Sequence, residues 1–551
     1  MALRETSISA VAALAAAALL ALPAHAQSNS VPGIDVALGQ LGDINQVGRT
    51  GTYPNGTSAA AMSTTSCNFG SVEVPWFAPM DAEHPFISFL VTREDRSGRI
   101  FQISDRSYVK HGFFALADNQ CGLGCSTPAQ FGQYLGVGCS DTYGISNNSD
   151  NYYLAPPAEI DPWLGEWDPF CSLFDLGLSG STCDGGRSYS HSQANGLGPI
   201  GNRIHLDDQD LIDGGQNAVF AYQAYYVIGQ EADGVRGNNL GWSRMSADWT
   251  GTKWNLDPTT TMVHGSILES WDGATVTSAS NAGDDGRVYV AVKVTGPNQG
   301  KWHYEYALHN RDNSRAISEF RVPICPSAAI SGLGFRDIDD DANNQWTSSV
   351  LGGEVVFSTD ANALEWNTIY NFWFDADVAP EAGTANLGEF RLGVGANQFG
   401  VPTTAPLRRI AFDLGPGCSL SGTPPTLHPH GDPGVPEIGN TNFAILAVDQ
   451  APGSVGFLYG SGTTAVVPIA PTCNAYLGGV FGVNILLYSQ GLANANGRAV
   501  YPLPVPNNPS YEGVRVKLQA VVINIGGPFA GVADISSGLE IRVGSATTGC
   551  N

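Results

Sequence analysis

The clearest pattern in the chain is a strict alternation of apolar and polar positions between residues 287 and 309. Val288, Val290, Val292 and Val294 alternate with Arg287, Tyr289, Ala291 and Lys293. Side chains on a strand point to opposite faces in turn, so this is the pattern of a half-buried β-strand. Gly296-Pro-Asn-Gln-Gly300 supplies a turn. Trp302, Tyr304, Tyr306 and Leu308 then alternate with His303, Glu305, Ala307 and His309, which predicts a hairpin with one apolar face. Phe220, Tyr222, Tyr226 and Ile228 predict an aromatic strand face, and Val514, Val516, Leu518, Ala520 and Val522 predict a late strand. Long amphipathic helix patterns are missing outside the extreme N-terminus. The predicted fold class is all-β: a large, disulfide-stapled β-sandwich of jelly-roll type, followed by a small β-sandwich or barrel module.

Composition agrees. With 67 Gly and 33 Pro in 551 residues, the chain has the turn residues that many short strands need. Apolar residues make up 43%, enough for packed cores. The net charge of −25 argues against nucleic acid and anionic membranes as partners, because both need basic patches. The charge is unevenly spread. From residue 416 onward six acidic and four basic residues leave a net of only −2. The shift coincides with a Pro/Gly-rich passage from Gly415-Pro-Gly-Cys to His428-Pro-His-Gly-Asp-Pro-Gly, read as a linker or a loop-rich domain start. The expected division is a leader at 1–26, a large acidic domain at 27–415 and a small accessory domain at 416–551.

The leader reads as a signal peptide. Arg4 gives a positive start, residues 8–22 an apolar Ala-rich stretch, and Ala24-His25-Ala26 a cleavage site, so the mature chain is expected to begin at Gln27. The stretch is shorter than the ~20 apolar residues of a membrane span, and no later stretch predicts a transmembrane segment. The expected location is outside the cytoplasm, in the periplasm or on the cell surface. Ten cysteines, an even number, then read as disulfides in preference to a zinc site, with Cys171 and Cys183 expected to close a small loop.

Several segments carry a resemblance. Thr65-Ser-Cys-Asn68, Lys110-His-Gly-Phe-Phe-Ala-Leu116, Leu135-Gly-Val-Gly-Cys-Ser-Asp-Thr-Tyr143, Tyr304-Glu-Tyr-Ala-Leu-His-Asn310 and Asn362-Ala-Leu-Glu-Trp-Asn-Thr-Ile-Tyr-Asn371 resemble a group of large secreted β-rich proteins of planctomycetes and other aquatic bacteria. Residues 416–551 are similar to a small β-domain that ends many such proteins. The resemblance implies secretion and architecture and carries over no catalytic residue.

Four constellations bear on chemistry. Asp337, Asp339, Asp341 and Asn343 place oxygen donors at positions 1, 3, 5 and 7 of a loop, which suits calcium. Ala342 and Ser348 depart from the EF-hand pattern, and a solvated acidic turn is the plain alternative. Asp207, Asp208, Asp210 and Asp213 form a second acidic loop. Residues 152–170 pack Tyr152, Tyr153, Trp163, Trp167 and Phe170 beside Glu159, Asp161, Glu166 and Asp168. Aromatic faces next to carboxylates suit sugar rings, so an extracellular glycan is the expected ligand; a loop plugged into the core by its aromatics is the alternative. Finally, His303, Glu305 and His309 share one strand face. That face is expected to be solvated, with Glu305 opposite Lys293, rather than to hold a metal. His428-Pro-His430 is read as part of a linker. His111 is the candidate ligand or acid–base group of a copper or zinc enzyme, the rival to a binding protein. A structural cell-surface component is the third reading. Serine-hydrolase, zincin and P-loop motifs do not occur.

Overall fold

The computed structural model describes residues 30–544 apart from 80, 176–189, 214–217, 282–283, 326–327, 340, 409, 433 and 471–472. The expected leader and Cys183 lie outside the described residues, and so does the Cys171 side chain. Within them the chain is all-β, with a few short helices. None of these is long and apolar enough to cross a membrane.

Three sandwiches follow one another. In the first, sheet A holds Val36–Thr50, Thr57–Asn68, Ile204–Asp207 and Ser140–Tyr143. It covers the larger sheet B, whose central strands are Leu240–Trp249, Val219–Val227 and Phe86–Glu94. Val36, Leu38 and Met62 from sheet A meet Phe220, Tyr222 and Tyr226 from sheet B in one buried cluster. In the second, sheet C holds Thr275–Ser280, Arg287–Asn298, Lys301–Asn310, Thr368–Ala376 and Ile330–Arg336. Sheet D holds Thr347–Leu351, Glu354–Ser358, Ile317–Pro323, Ala379–Glu389 and Gln398–Arg408. The predicted hairpin forms with Lys293 opposite Glu305, and its apolar face, Val288 to Leu308, lies in the core between sheets C and D. Tyr304 and Tyr306 are buried there, each donating its hydroxyl 2.8 Å to a carbonyl, of Val378 and Thr404. A bonded hydroxyl is what lets so large a ring be buried without a desolvation penalty.

The third sandwich starts at Ala411–Gly415, which pairs with Gly538–Arg542 in sheet E beside Arg515–Ile523, Val455–Ser461 and Leu486–Leu492. Sheet F (Thr426–His430, Ala444–Val448, Ala499–Pro502) packs on it. His428 and His430 therefore sit on a strand and not in a linker. Disulfides join Cys67 to Cys121 and Cys125 to Cys139 in the first sandwich and Cys418 to Cys473 in the third. No described cysteine is free.

The first two sandwiches are stacked. The second faces of sheets B and C meet in a buried seam that includes Leu90, Ala221, Trp242, Trp271, Ala291, Ala307 and Ile369. Side-chain amides cross it: Asn371 donates 2.7 Å to the Ile100 carbonyl and Asn367 donates 3.0 Å to that of Phe89. This overturns the solvated face expected at 303–309. Glu305 and His309 are buried. Glu305 does not pair with Lys293 across the hairpin but takes Arg99 of the first sandwich in two bonds of 2.6 and 2.8 Å. Lys293 reaches Glu94 of the first sandwich at 3.0 Å.

At one end of the seam lies a buried ionic group. Asp312 accepts Arg236 at 3.1 Å, Arg311 at 2.8 Å and the Tyr225 hydroxyl at 2.9 Å. Asp233 takes Arg311 at 2.7 Å and Arg287 at 2.5 Å. Buried charges survive only when paired and hydrogen-bonded in this way.

Candidate functional site: a polar cleft beside the seam

The residues 152–170 form no exposed platform. Ile160–Asp161 pairs with Glu166–Trp167 as a small hairpin. The Asp161 carboxylate accepts the Trp163 and Leu164 amides at 2.9 Å, which closes the turn and spends that carboxylate locally. Burial is also the first cause that pushes the Asp161 pKa up. Trp163 is 4% exposed and lies under Arg236, 5.1 Å from the guanidinium. Trp167 is 8% exposed and meets the edges of His111, Phe86 and Phe174. Both indoles are core, so the sugar-stacking faces expected of them are covered. Tyr153 stacks on Phe113 and Tyr152 on His191. Glu159 accepts the Leu173 amide at 3.0 Å; of the acidic set Glu166 and Asp168 stand exposed, and of the aromatic set Phe170 does.

His111 does find a second histidine. Its Nδ1 lies 2.9 Å from His84 Nε2, and both rings are buried among Phe86, Trp167 and Phe174. Burial is the main cause that lowers both, His84 to about 3, so the pair is neutral over the ordinary pH range. A cavity of about 310 Å³ lies over His84, bounded also by Glu83, Glu166 and Trp167. Among the described residues no group of three or more His, Cys, Asp or Glu side chains is placed to hold one metal ion.

The acidic turn at 337–343 is built from its own amides. Asp339 accepts the Asp341 amide at 2.8 Å, and Asp341 accepts both the amide and side chain of Asn343, at 2.9 and 2.8 Å. Asp337 is buried and accepts Asn362 at 2.6 Å; burial, then the Asp339 charge, pushes its pKa up.

What the fold does bring together are the two acidic loops. Asp339, at the end of sheet C, stands across a cleft of about 710 Å³ from Asp207, which ends a strand of sheet A, and from Asp208 and Asp210 on the short helix that follows it. Asp105, His205, Arg93 and Arg336 complete the walls. His205 Nδ1 lies 2.9 Å from Asp105, and this bond is the first cause that raises the His205 pKa. Arg93 is 3.8 Å from Asp210 and stacks on Phe101 with its guanidinium 4.6 Å from the ring centroid. Arg336 stacks on the same ring at 3.9 Å. Asp208 is buried and serves the frame, accepting Arg49, the Trp254 indole at 2.8 Å and the Gly56 amide at 2.8 Å.

Beside the cleft wall at Asn55, Tyr53 is 43% exposed and stacks on Trp249, with centroids 4.5 Å apart. This is the open aromatic face that the sequence suggested elsewhere. Its two rings stand almost 200 positions apart in the chain, on a turn and a sheet B strand, and no local pattern announces them.

No family model matches the chain, and no curated protein matches it. Solved structures with some likeness include the major pilin subunit of Bacillus cereus, at 8% identity, with 64% of this chain and 88% of that one covered and a TM-score of 0.19. The T6 backbone pilin of serotype M6 Streptococcus pyogenes matches at 9% identity, over 86% of this chain and 79% of that one, with a TM-score of 0.20. A tetra-tandem repeat in the extending region of a large adhesion protein matches at 11% identity, over 88% and 96%, with a TM-score of 0.14.

Proposed function

We propose that the chain is an extracytoplasmic, surface-associated binding protein whose ligand is an extracellular glycan held in the cleft between the first two sandwiches. The observation that carries the reading is the facing of donors and acceptors there: Arg93, Arg336 and His205 against Asp105, Asp207, Asp210 and Asp339. Carboxylates accept sugar hydroxyls and guanidinium groups donate to their oxygens, so such walls suit a ligand with many hydroxyls. The Tyr53–Trp249 stack adds a rigid face for a ring. Calcium belongs to the same proposal through Asp339, as a hard cation for hard oxygen donors.

The test is a titration of the mature protein against a polysaccharide panel, read by calorimetry, with and without chelator. Arg336→Ala and Tyr53→Ala should each weaken a hit by about tenfold or more, the loss of one well-placed contact. A glycan whose affinity ignores both substitutions, or no hit across the panel, overturns the cleft as its site. A chelator that leaves the affinity unchanged removes calcium from the proposal.

A second reading, a structural component of the cell surface, is favoured by the stacking of two sandwiches through a buried ionic seam and by the disulfides in the first and third. Metal-dependent catalysis at His111 has weaker support, because the His84 and His111 rings are bonded to each other.

A further inference from the structure

Residues 450–497 contain no Asp, Glu, Lys, Arg or His, a run of 48 positions in a chain that is 14% charged as a whole. The run is not hidden. Phe481 is 67% exposed, Val483 69% and Leu492 68%. Leu486, Leu487 and Tyr488 are consecutive on the strand Leu486–Leu492, and all three are exposed. Neighbours on a strand point to opposite faces, so both faces are bare there. The strand overhangs the third core, to which it contributes no buried residue.

It is also an edge. Among the described residues, Leu486–Leu492 ends sheet E and its ladder runs on one side, with Val455–Ser461. Near Gly491 the chain closes on Val500, which leaves 486–489 as the open stretch. Unpaired strand edges invite another strand, and proteins guard them with proline or charge. Three other edges follow that rule: Gln398–Arg408 carries Pro402 and Pro406, Thr426–His430 carries Pro429, and Ala411–Gly415 carries Asp413. Thr275–Ser280 and Thr347–Leu351 carry neither, but each holds two or more Ser or Thr where Leu486–Leu492 is mostly apolar. Leu486–Leu492 carries neither.

We propose that this edge is a docking surface for a second copy of the chain, joined antiparallel about a two-fold axis through residues 486–489. Charge selects the occupant. The chain carries −25 in all but only −2 beyond residue 415, so two copies repel least at this end. An uncharged apolar edge offers nothing to compensate the desolvated charges of an ionic partner, whereas an identical edge brings none. Antiparallel pairing about a two-fold axis satisfies both edges at once and closes the assembly at two.

Sedimentation equilibrium of the full mature chain tests this, with added zwitterionic phosphatidylcholine vesicles as a separate arm. The expected result is a monomer–dimer equilibrium that tightens as salt screens the acidic bodies. Leu487→Lys should weaken it by about tenfold or more, since a buried unpaired charge costs at least that much. Phe481→Ser, off the paired strand, should weaken it less, and circular dichroism should show both variants folded. A chain that stays monomeric at high salt overturns the proposal. So does a dimer indifferent to both substitutions. Co-sedimentation with the vesicles in the absence of self-association also overturns it and assigns the patch to a lipid surface. None of these outcomes touches the cleft, which lies on the other two sandwiches.

Discussion

The seam between the first two sandwiches and the free edge of the third are opposite solutions for a sheet. At the seam, charged and amide side chains are buried or half-buried, and these meet partners from the neighbouring sandwich: Glu305 with Arg99, Lys293 with Glu94, Asp312 with Arg236. At the free edge, apolar side chains are exposed and charges are missing over 48 residues. The lesson is that polarity along a strand does not report on water. It reports on whatever lies opposite, and here a polar face is covered while an apolar one is open.

The largest expected effect comes from breaking the seam. Asp312→Ala leaves Arg236 and Arg311 buried without their shared carboxylate. A loss of about 3–5 kcal/mol is expected, as for one partner removed from a buried ion pair. All 11 tryptophans lie between residues 76 and 373, so indole fluorescence during urea unfolding reports the stacked pair alone. A normal urea midpoint in this variant would mean that the ionic group adds nothing to stability. Trp167→Ala comes next, at about 3 kcal/mol or more, the cost of a large buried aromatic. A near-wild-type midpoint would return this indole to the surface and to ligand binding.

A smaller effect is expected from acid. His84 and His111 have folded pKa values below the unfolded value near 6.5, so the unfolded chain binds protons first as pH falls. Their contribution is full above that pH and is lost as pH drops toward about 3, the folded value at His84. The slope is about 1.4 kcal/mol per pH unit for each neutral buried histidine. In His84→Gln the dependence of the fluorescence midpoint between about pH 4 and 6 should flatten by that amount. An unchanged slope would place the acid sensitivity elsewhere. The smallest effect is expected at the edge. Leu487→Ser, measured at dilution, should change stability by no more than about 0.5 kcal/mol, as an exposed position does. A larger loss would mean that the strand is part of the third core.

The alternation at 287–309 made the hairpin, its register and its apolar face legible, because a half-buried strand writes its own period into the sequence. Its other face was misread for the reason the seam illustrates: alternation distinguishes core from not-core, and a second protein layer with polar partners looks like solvent. Trp163 and Trp167 showed the same ambiguity, since aromatics beside carboxylates serve a sugar or a core equally well. The His-Pro-His strand was hidden by its own Pro and Gly neighbours, which suit an edge as well as a linker. The two acidic loops were visible one at a time. Their meeting across one cleft, with Arg93, Arg336 and Tyr53 alongside, is set by the stacking of sandwiches whose residues lie far apart in the chain.

That stacking has a consequence for how the chain is made. The last strand of the first sandwich's main sheet to pair along its long edge ends at Pro258, but the strand that donates Ile369 and Asn371 to the seam ends only at Ala376, 118 residues later. At ordinary synthesis rates of about 5–20 residues per second, the first sandwich waits roughly 6–24 s with its second face uncovered. Glu94 and Arg99 lack partners until Lys293 and Glu305 emerge, and the apolar patch around Leu90 and Trp242 lacks Ile369 for the whole interval. A shortened chain ending near residue 260 would keep Leu90, Ala221 and Trp242 permanently without Ala291, Ala307 and Ile369.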